Sequence, residues 1–234
     1  MFLTHDNKLK PKWILWGTVI TAVLIVLGIA GLDSFLYPII NNPECSVWFF
    51  NSNFGCAFAF VLGKIFSTKM WLLITGLLLL LVFVKKSLES GIKYKDTKNH
   101  FNLIVLVKDF MSKVRTNYAF LIFSSVILAV LTCGVLKILI GRARPMMLFD
   151  GFHQFIFDWA FNSMPSGHTA ATFAGLVMAG MLSPKIKPYT WTLAIIVGLS
   201  RVYIGAHWPT DVIFGAFIGM IAADVVKWWA FRHK

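Results

Sequence analysis

Long apolar runs separated by short polar ones set the pattern of this chain. The first run, 13–32, follows Lys8, Lys10 and Lys12 and ends at Asp33. Five more lie at 70–84, 118–136, 168–182, 189–206 and 212–229. A helix that crosses a bilayer needs about 20 mostly apolar residues. The pattern therefore predicts an all-α, polytopic membrane protein with six transmembrane helices. The run 13–32 follows lysines as a secretory signal does. It is longer than the roughly 7–15 residues of a signal core, and no small-residue cleavage site follows it, so it is expected to remain as the first span. The run 70–84 is short, and Lys69, Lys85 and Lys86 at its ends can reach along it to water.

The connections carry their own patterns. In the segment 85–117, Leu103, Val107, Phe110 and Val114 recur at helical spacing with Lys108, Lys113 and Arg115 among them. That combination predicts a helix lying on an anionic inner leaflet. The segment 33–69 is acidic at first and then aromatic, with Phe49, Phe50, Phe54, Phe58 and Phe60. Its apolar part, 55–65, is too short to span and reads as a re-entrant or interfacial helix. Cys45 and Cys56 lie in this segment, and their spacing is compatible both with a disulfide and with two free thiols. No repeat or linker divides the chain, so 1–234 reads as one domain.

Composition narrows the class. Of 234 residues, 58% are hydrophobic and 14% charged, against about 25% charged in an average soluble domain. A disordered chain, a collagen, a coiled coil and a disulfide scaffold are excluded. The 22 Lys and Arg against 10 Asp and Glu give a net charge of +12, which raises the question of nucleic acid. The distribution answers it. With six spans, sixteen of the 22 cations fall on the side of both termini. Cytoplasmic loops carry such an excess, so both termini are expected in the cytoplasm, and no nucleic-acid partner is expected.

Polar residues at the outer ends of the last four runs are the candidates for chemistry, because ionisable groups near a membrane are costly. Lys137 and Arg144 are seven residues apart, two helical turns, and Pro145 puts Arg144 at or beyond the helix end. Converging cations there suit an anion, and an Arg fork suits phosphate. Ser166, Gly167 and His168 open the fourth run: Ser166 can cap the helix, the first backbone amides can meet an anion, and His168 can move a proton. Arg201, His207 and Asp211 form the third cluster. Asp211, in the first turn after Pro209, can reach back to the ring of His207, fix its tautomer and aim its other nitrogen outward. Each cluster alone also suits an ordinary structural role: snorkelling cations, a capped helix, a His–Asp hydrogen bond. Together they describe a phosphate pocket with a nucleophile on one side and an acid on the other.

These residues read K-x6-R-P at 137–145, P-S-G-H at 165–168 and S-R-x5-H-x3-D at 200–211. The set resembles the three-part signature of the type 2 phosphatidic acid phosphatase superfamily, the lipid phosphate phosphatases. The resemblance implies a bacterial inner-membrane enzyme with its site facing the periplasm. It implies no cofactor and no metal. His207 would attack phosphorus, Asp211 would orient His207, and His168 would protonate the leaving group. Lys137, Arg144, Ser166, Gly167 and Arg201 would hold the phosphoryl oxygens. Family substrates include phosphatidylglycerol phosphate, undecaprenyl diphosphate, phosphatidic acid and lipid A, so the expected partners are a phosphorylated lipid and the bilayer. Arg142 and the aromatic outer segment are expected to help read the headgroup. Two alternatives stand beside this one: transfer of the phosphoryl group to a lipid acceptor, and a transporter that binds an anionic lipid without catalysis. Asp224, near the inner end of the sixth run, is the main mid-membrane charge a transporter would use.

Overall fold

The computed structural model describes residues 2–4, 7–45, 50, 53–94, 114–147 and 151–232, and among these the regular structure is helical. The expected surface helix at 103–115 lies almost wholly outside the described residues.

Helix α1 runs Pro11–Leu27, with Pro at its first turn, where a missing N–H costs nothing. A π turn at Gly28–Leu32 joins it to α2, Asp33–Ile40. Gly31 sits inside that turn at φ 131°, a conformation open to glycine and strained for other residues. The first apolar stretch is therefore a kinked 30-residue unit, Pro11–Ile40. Asp33 belongs to it rather than to an outer loop. Helix α3, Phe54–Ile65, corresponds to the expected short apolar helix, and a Cys45–Cys56 disulfide ties its first turn to the segment before it. Helices α4 (Thr68–Tyr94), α5 (Tyr118–Ile140), α6 (Gly167–Leu182), α7 (Lys187–Tyr203) and α8 (Pro209–Phe231) follow.

Among the described residues, four units are long and apolar enough to cross a membrane: Pro11–Ile40, Thr68–Lys86, Tyr118–Ile140 and Pro209–Phe231. At 16 and 17 residues, α6 and α7 are shorter; at 1.5 Å per residue each covers only about 25 Å. Large apolar side chains such as Trp13, Trp16, Leu77, Leu81 and Leu131 point outward. Large outward apolar faces of this kind suit lipid.

Helix α6 is the centre of the bundle and packs against α4, α5, α7 and α8. Its sequence is rich in Ala and Gly, and the ten buried residues of the two main core clusters that belong to α5, α7 and α8 are likewise mostly small or aliphatic. The α6–α8 contact depends on two glycines one turn apart. A Cβ on Gly215 would stand 2.5 Å from the Ser166 carbonyl oxygen, and one on Gly219 2.5 Å from that of Ala170. Small residues at this spacing let helix backbones meet in lipid. The meeting has a local consequence: the start of α8 is drawn onto the start of α6, and Ser166 N–H donates to the Asp211 carbonyl at 2.9 Å.

Asp224 is buried, and its Oδ2 accepts from the Phe2 backbone amide at 3.0 Å. This mid-helix carboxylate serves an anchor between the first residues and α8.

Candidate active site

The C-terminal ends of α5 and α7 and the N-terminal ends of α6 and α8 share one end of the bundle, and the three signature segments meet there. Gly141 ends α5 in the left-handed conformation at φ 61°, its N–H donating to the Lys137 carbonyl. A Cβ there would stand 1.9 Å from the His153 carbonyl oxygen, so only glycine fits this close approach. The turn leaves Lys137 in the last helical turn and carries Arg142 and Arg144 beyond the helix end, where Pro145 had implied Arg144 would lie.

A cavity of about 300 Å³ opens at this end, lined by His168, Arg144, Arg201 and His207 of the candidate set, with Lys64 and Lys69 also on its wall. Arg144 is held by three backbone carbonyls: Nε donates to Trp159 at 2.9 Å, Nη1 to Ala206 at 2.8 Å and Nη2 to Asn162 at 3.2 Å. The Trp159 ring lies 3.9 Å from its guanidinium carbon. Burial pushes Arg144 down to about 10, which leaves it a cation at neutral pH. Arg201 reaches across to α3, donating to the Ala59 carbonyl at 2.6 Å and to Ser200 Oγ. Gly63 makes room for it, since a Cβ at that position would lie 2.1 Å from Arg201 Nη1. His168, in the first turn of α6, meets the backbone of Gly63 on the same wall.

His207 is buried between these groups. Its Nε2 lies 3.4 Å from Arg144 Nη1, on the cavity side, and its Nδ1 lies 3.6 Å from Asp211 Oδ2. The carboxylate thus faces the ring as expected, at ion-pair rather than hydrogen-bond distance. A proton on Nδ1, directed at Asp211, leaves the Nε2 lone pair facing the cavity. Burial and then the Arg144 and Lys137 charges hold His207 well below its ordinary pKa, so it is neutral at physiological pH.

Asp211 has stronger partners than His207. Arg142 Nη1 donates to Oδ1 at 2.8 Å, and the Trp208 amide to Oδ2 at 2.9 Å. Ser163 Oγ donates to Oδ2 at 2.5 Å and stands 3.5 Å from His207 Nδ1. Arg142 was expected to read a headgroup. It is buried instead, and its Nη2 pairs with Asp33 at 2.7 Å. Its guanidinium is committed to two carboxylates and does not line the cavity that His168 and His207 share. Asp33, Ser163 and Trp159 are thus the site neighbours that motif reading did not bring out.

Three expected phosphate ligands stand apart from the cavity wall. Lys137 Nζ donates to the Asn162 carbonyl at 2.5 Å and faces that of Ser163 at 3.4 Å. Gly167 lies beside the Lys137 side chain. Ser166 occupies the cap position of α6 but makes no side-chain cap bond; its buried Oγ accepts from Thr169 Oγ1 at 2.9 Å.

Residues 118–234, half of the chain, match the PAP2 superfamily, and the chain belongs to it. The matched stretch begins at α5 and contains all eight candidate residues. The chain is 36% identical over 133 residues to the lipid A 1-phosphatase of Rhizobium johnstonii, covering 51% of this chain and 54% of that protein. It is 33% identical over 99 residues to the undecaprenyl-diphosphatase of Sulfolobus acidocaldarius, covering 41% and 47%. The match spans about half the length of these curated relatives. The crystal structure of Aquifex aeolicus LpxE is similar at a TM-score of 0.43 and 24% identity, over 83% of this chain and 94% of that one.

Proposed function

We propose that this chain is an integral-membrane lipid phosphate phosphatase that removes a terminal phosphate from a lipid phosphate or diphosphate through a phosphohistidine on His207. The observation that carries this reading is the shared cavity: His207 Nε2 and His168 line it together with two buried guanidinium groups. Family membership and the relatives' printed activities support it. Candidate substrates are lipid A, undecaprenyl diphosphate, phosphatidylglycerol phosphate and phosphatidic acid.

The steps follow from the geometry. Arg144 and Arg201 hold the phosphoryl oxygens and meet the charge that builds on them. The neutral Nε2 of His207 attacks phosphorus, and a P–N bond forms as the P–O bond to the lipid breaks. The leaving oxygen takes a proton from His168. The positive charge on the phosphorylated ring is met by Asp211. Water then attacks phosphorus, giving its proton to His168, and the P–N bond breaks to release inorganic phosphate and neutral His207. Covalent catalysis of this kind divides one difficult displacement into two. Lys137 fixes the carbonyls of Asn162 and Ser163 and adds positive field behind the cavity, as does the start of α6 at Gly167.

Six membrane-crossing helices, cytoplasmic termini and a site at the periplasmic face of a bacterial inner membrane complete the proposal. The skew of sixteen among 22 cations supports the orientation. So does the Cys45–Cys56 disulfide near the cavity end, since such bonds persist in oxidising compartments. The test is phosphate release by the purified chain in detergent from each of the four lipids, with EDTA present. The reading requires release that EDTA leaves intact and that His207→Ala and His168→Ala each abolish. Near-full activity in either variant, or loss of release with EDTA, overturns it.

A further inference from the structure

We propose that Asp33, in the first apolar unit and outside the stretch that matches the family, is a positioning residue of the phosphatase site, acting on Asp211 through Arg142. The inference rests on the phosphatase reading above.

The geometry is a closed chain of three charges. Arg142 extends Nη1 to Asp211 Oδ1 at 2.8 Å and Nη2 to Asp33 Oδ2 at 2.7 Å, and all three side chains are buried. Thr210, next to Asp211 in the chain, binds both Asp33 and Arg142. Its amide donates to Asp33 Oδ1 at 3.0 Å, its hydroxyl donates to Asp33 Oδ2, and its Oγ1 accepts from Arg142 Nη1 at 3.0 Å. The Trp208 ring covers the guanidinium at 5.2 Å, and Tyr37 of α2 packs against Trp208 at 5.1 Å. Gly28 lets the kinked unit come this close: a Cβ there would stand 2.4 Å from Thr210 Cγ2 and 2.8 Å from Asp33 Oδ2.

Charge balance gives the chain its purpose. A carboxylate that answers a cationic ring must keep its negative charge in effect. A buried guanidinium on Asp211 alone would make a neutral pair and cancel most of that field. Asp33 shares the guanidinium, so the three groups together carry one negative charge beside His207. Arg142 can then orient Asp211 by a hydrogen bond without neutralising it. A clamp that served folding alone would not need this balance, because a buried charge left short of a partner is costly whether or not chemistry follows.

The two roles separate in a double-variant cycle on the full chain in detergent, assayed with the most active of the four lipids. Asp33→Asn leaves the Arg142–Asp211 pair neutral. It should lower kcat about 10- to 100-fold, the usual effect of losing an outer partner of a reacting group, with KM within about threefold. Asp33→Asn with Arg142→Gln restores one negative charge on Asp211 and leaves neutral amides in place of the outer pair. The double variant should turn over faster than Asp33→Asn alone, within about tenfold of wild type. Additive loss in the double variant, a kcat within twofold of wild type for Asp33→Asn, or an effect confined to KM overturns the proposal. If Asp33→Asn does not fold, the double variant decides, and its failure to fold or to turn over counts against the proposal. A wild-type chain that releases no phosphate from any lipid defeats the phosphatase reading instead.

Discussion

Gly63→Ala places a methyl group where the Arg201 guanidinium now lies. An ideal Cβ would stand 2.1 Å from Nη1, 2.5 Å from Nη2 and 2.6 Å from Cζ. Unstrained contact needs about 3.5 Å, so the guanidinium must retreat by more than an ångström. It is the end of a flexible side chain, which lets α3 keep its place while Arg201 gives up the Ala59 carbonyl at 2.6 Å. If Arg201 holds the phosphoryl group, the displacement has a predictable size. Misplacement by about 1 Å costs roughly 10²-fold, and loss of one donor to a developing charge costs about 10²–10³ in kcat, or about 3–4 kcal/mol. Phosphate release in detergent should therefore show kcat down by about two orders of magnitude, close to Arg201→Ala. The thermal midpoint should move by less than about 5 °C. A Gly63→Ala protein that keeps kcat within twofold of wild type while Arg201→Ala loses activity refutes the reasoning. So does a Gly63→Ala protein that unfolds, since Gly63 would then serve packing.

Further expectations follow from other contacts. Gly219→Ala meets backbone, not a movable side chain, at 2.5 Å; it should destabilise by about 1–3 kcal/mol, read as a lowered thermal midpoint in detergent, and an unchanged midpoint contradicts the α6–α8 contact. Because the folded state holds His207 well below its ordinary pKa, the ring stays neutral as pH falls through about 6.5. Its contribution to stability is present above that pH and lost below it. The His207 imidazole resonance, assigned by its absence in His207→Ala, should keep its neutral shift as pH falls through about 6.5, and titration near 6.5 would contradict the burial argument. Lys64 and Lys69 line the cavity beside the signature cations. Replacing both by Ala should raise KM severalfold for lipids with two phosphate groups and less for a monophosphate, since exposed pairs contribute about 0.2–1 kcal/mol each; equal effects on both would show that these lysines do not read the second phosphate.

The parts of the site visible in the sequence are those whose spacing is short. Lys137 to Arg144 is two helical turns ended by Pro145, and His207 to Asp211 is one turn begun at Pro209, so local rules suffice to place them. Asp33 and Arg142 are 109 residues apart. Each reads as a lone charge at the edge of an apolar run, and their pairing exists only once α2 lies on the start of α8. The same pairing lets the first helix extend past its expected end at Leu32: paired with Arg142, Asp33 can sit inside a helical unit where a free carboxylate would mark its boundary. Ser163 carries no motif spacing at all; the turn of chain before α6 brings it onto Asp211. The Cys45–Cys56 pairing was open in the sequence because eleven residues of separation allow a bond without requiring one.

The central claim is that His207 Nε2 becomes covalently phosphorylated. The direct measurement is rapid quench of the purified chain with a lipid carrying radiolabelled terminal phosphate, followed by peptide mass spectrometry. The account predicts an acid-labile label on the peptide containing His207, absent from His207→Ala. Turnover without any labelled protein, or a label on another residue, would contradict it.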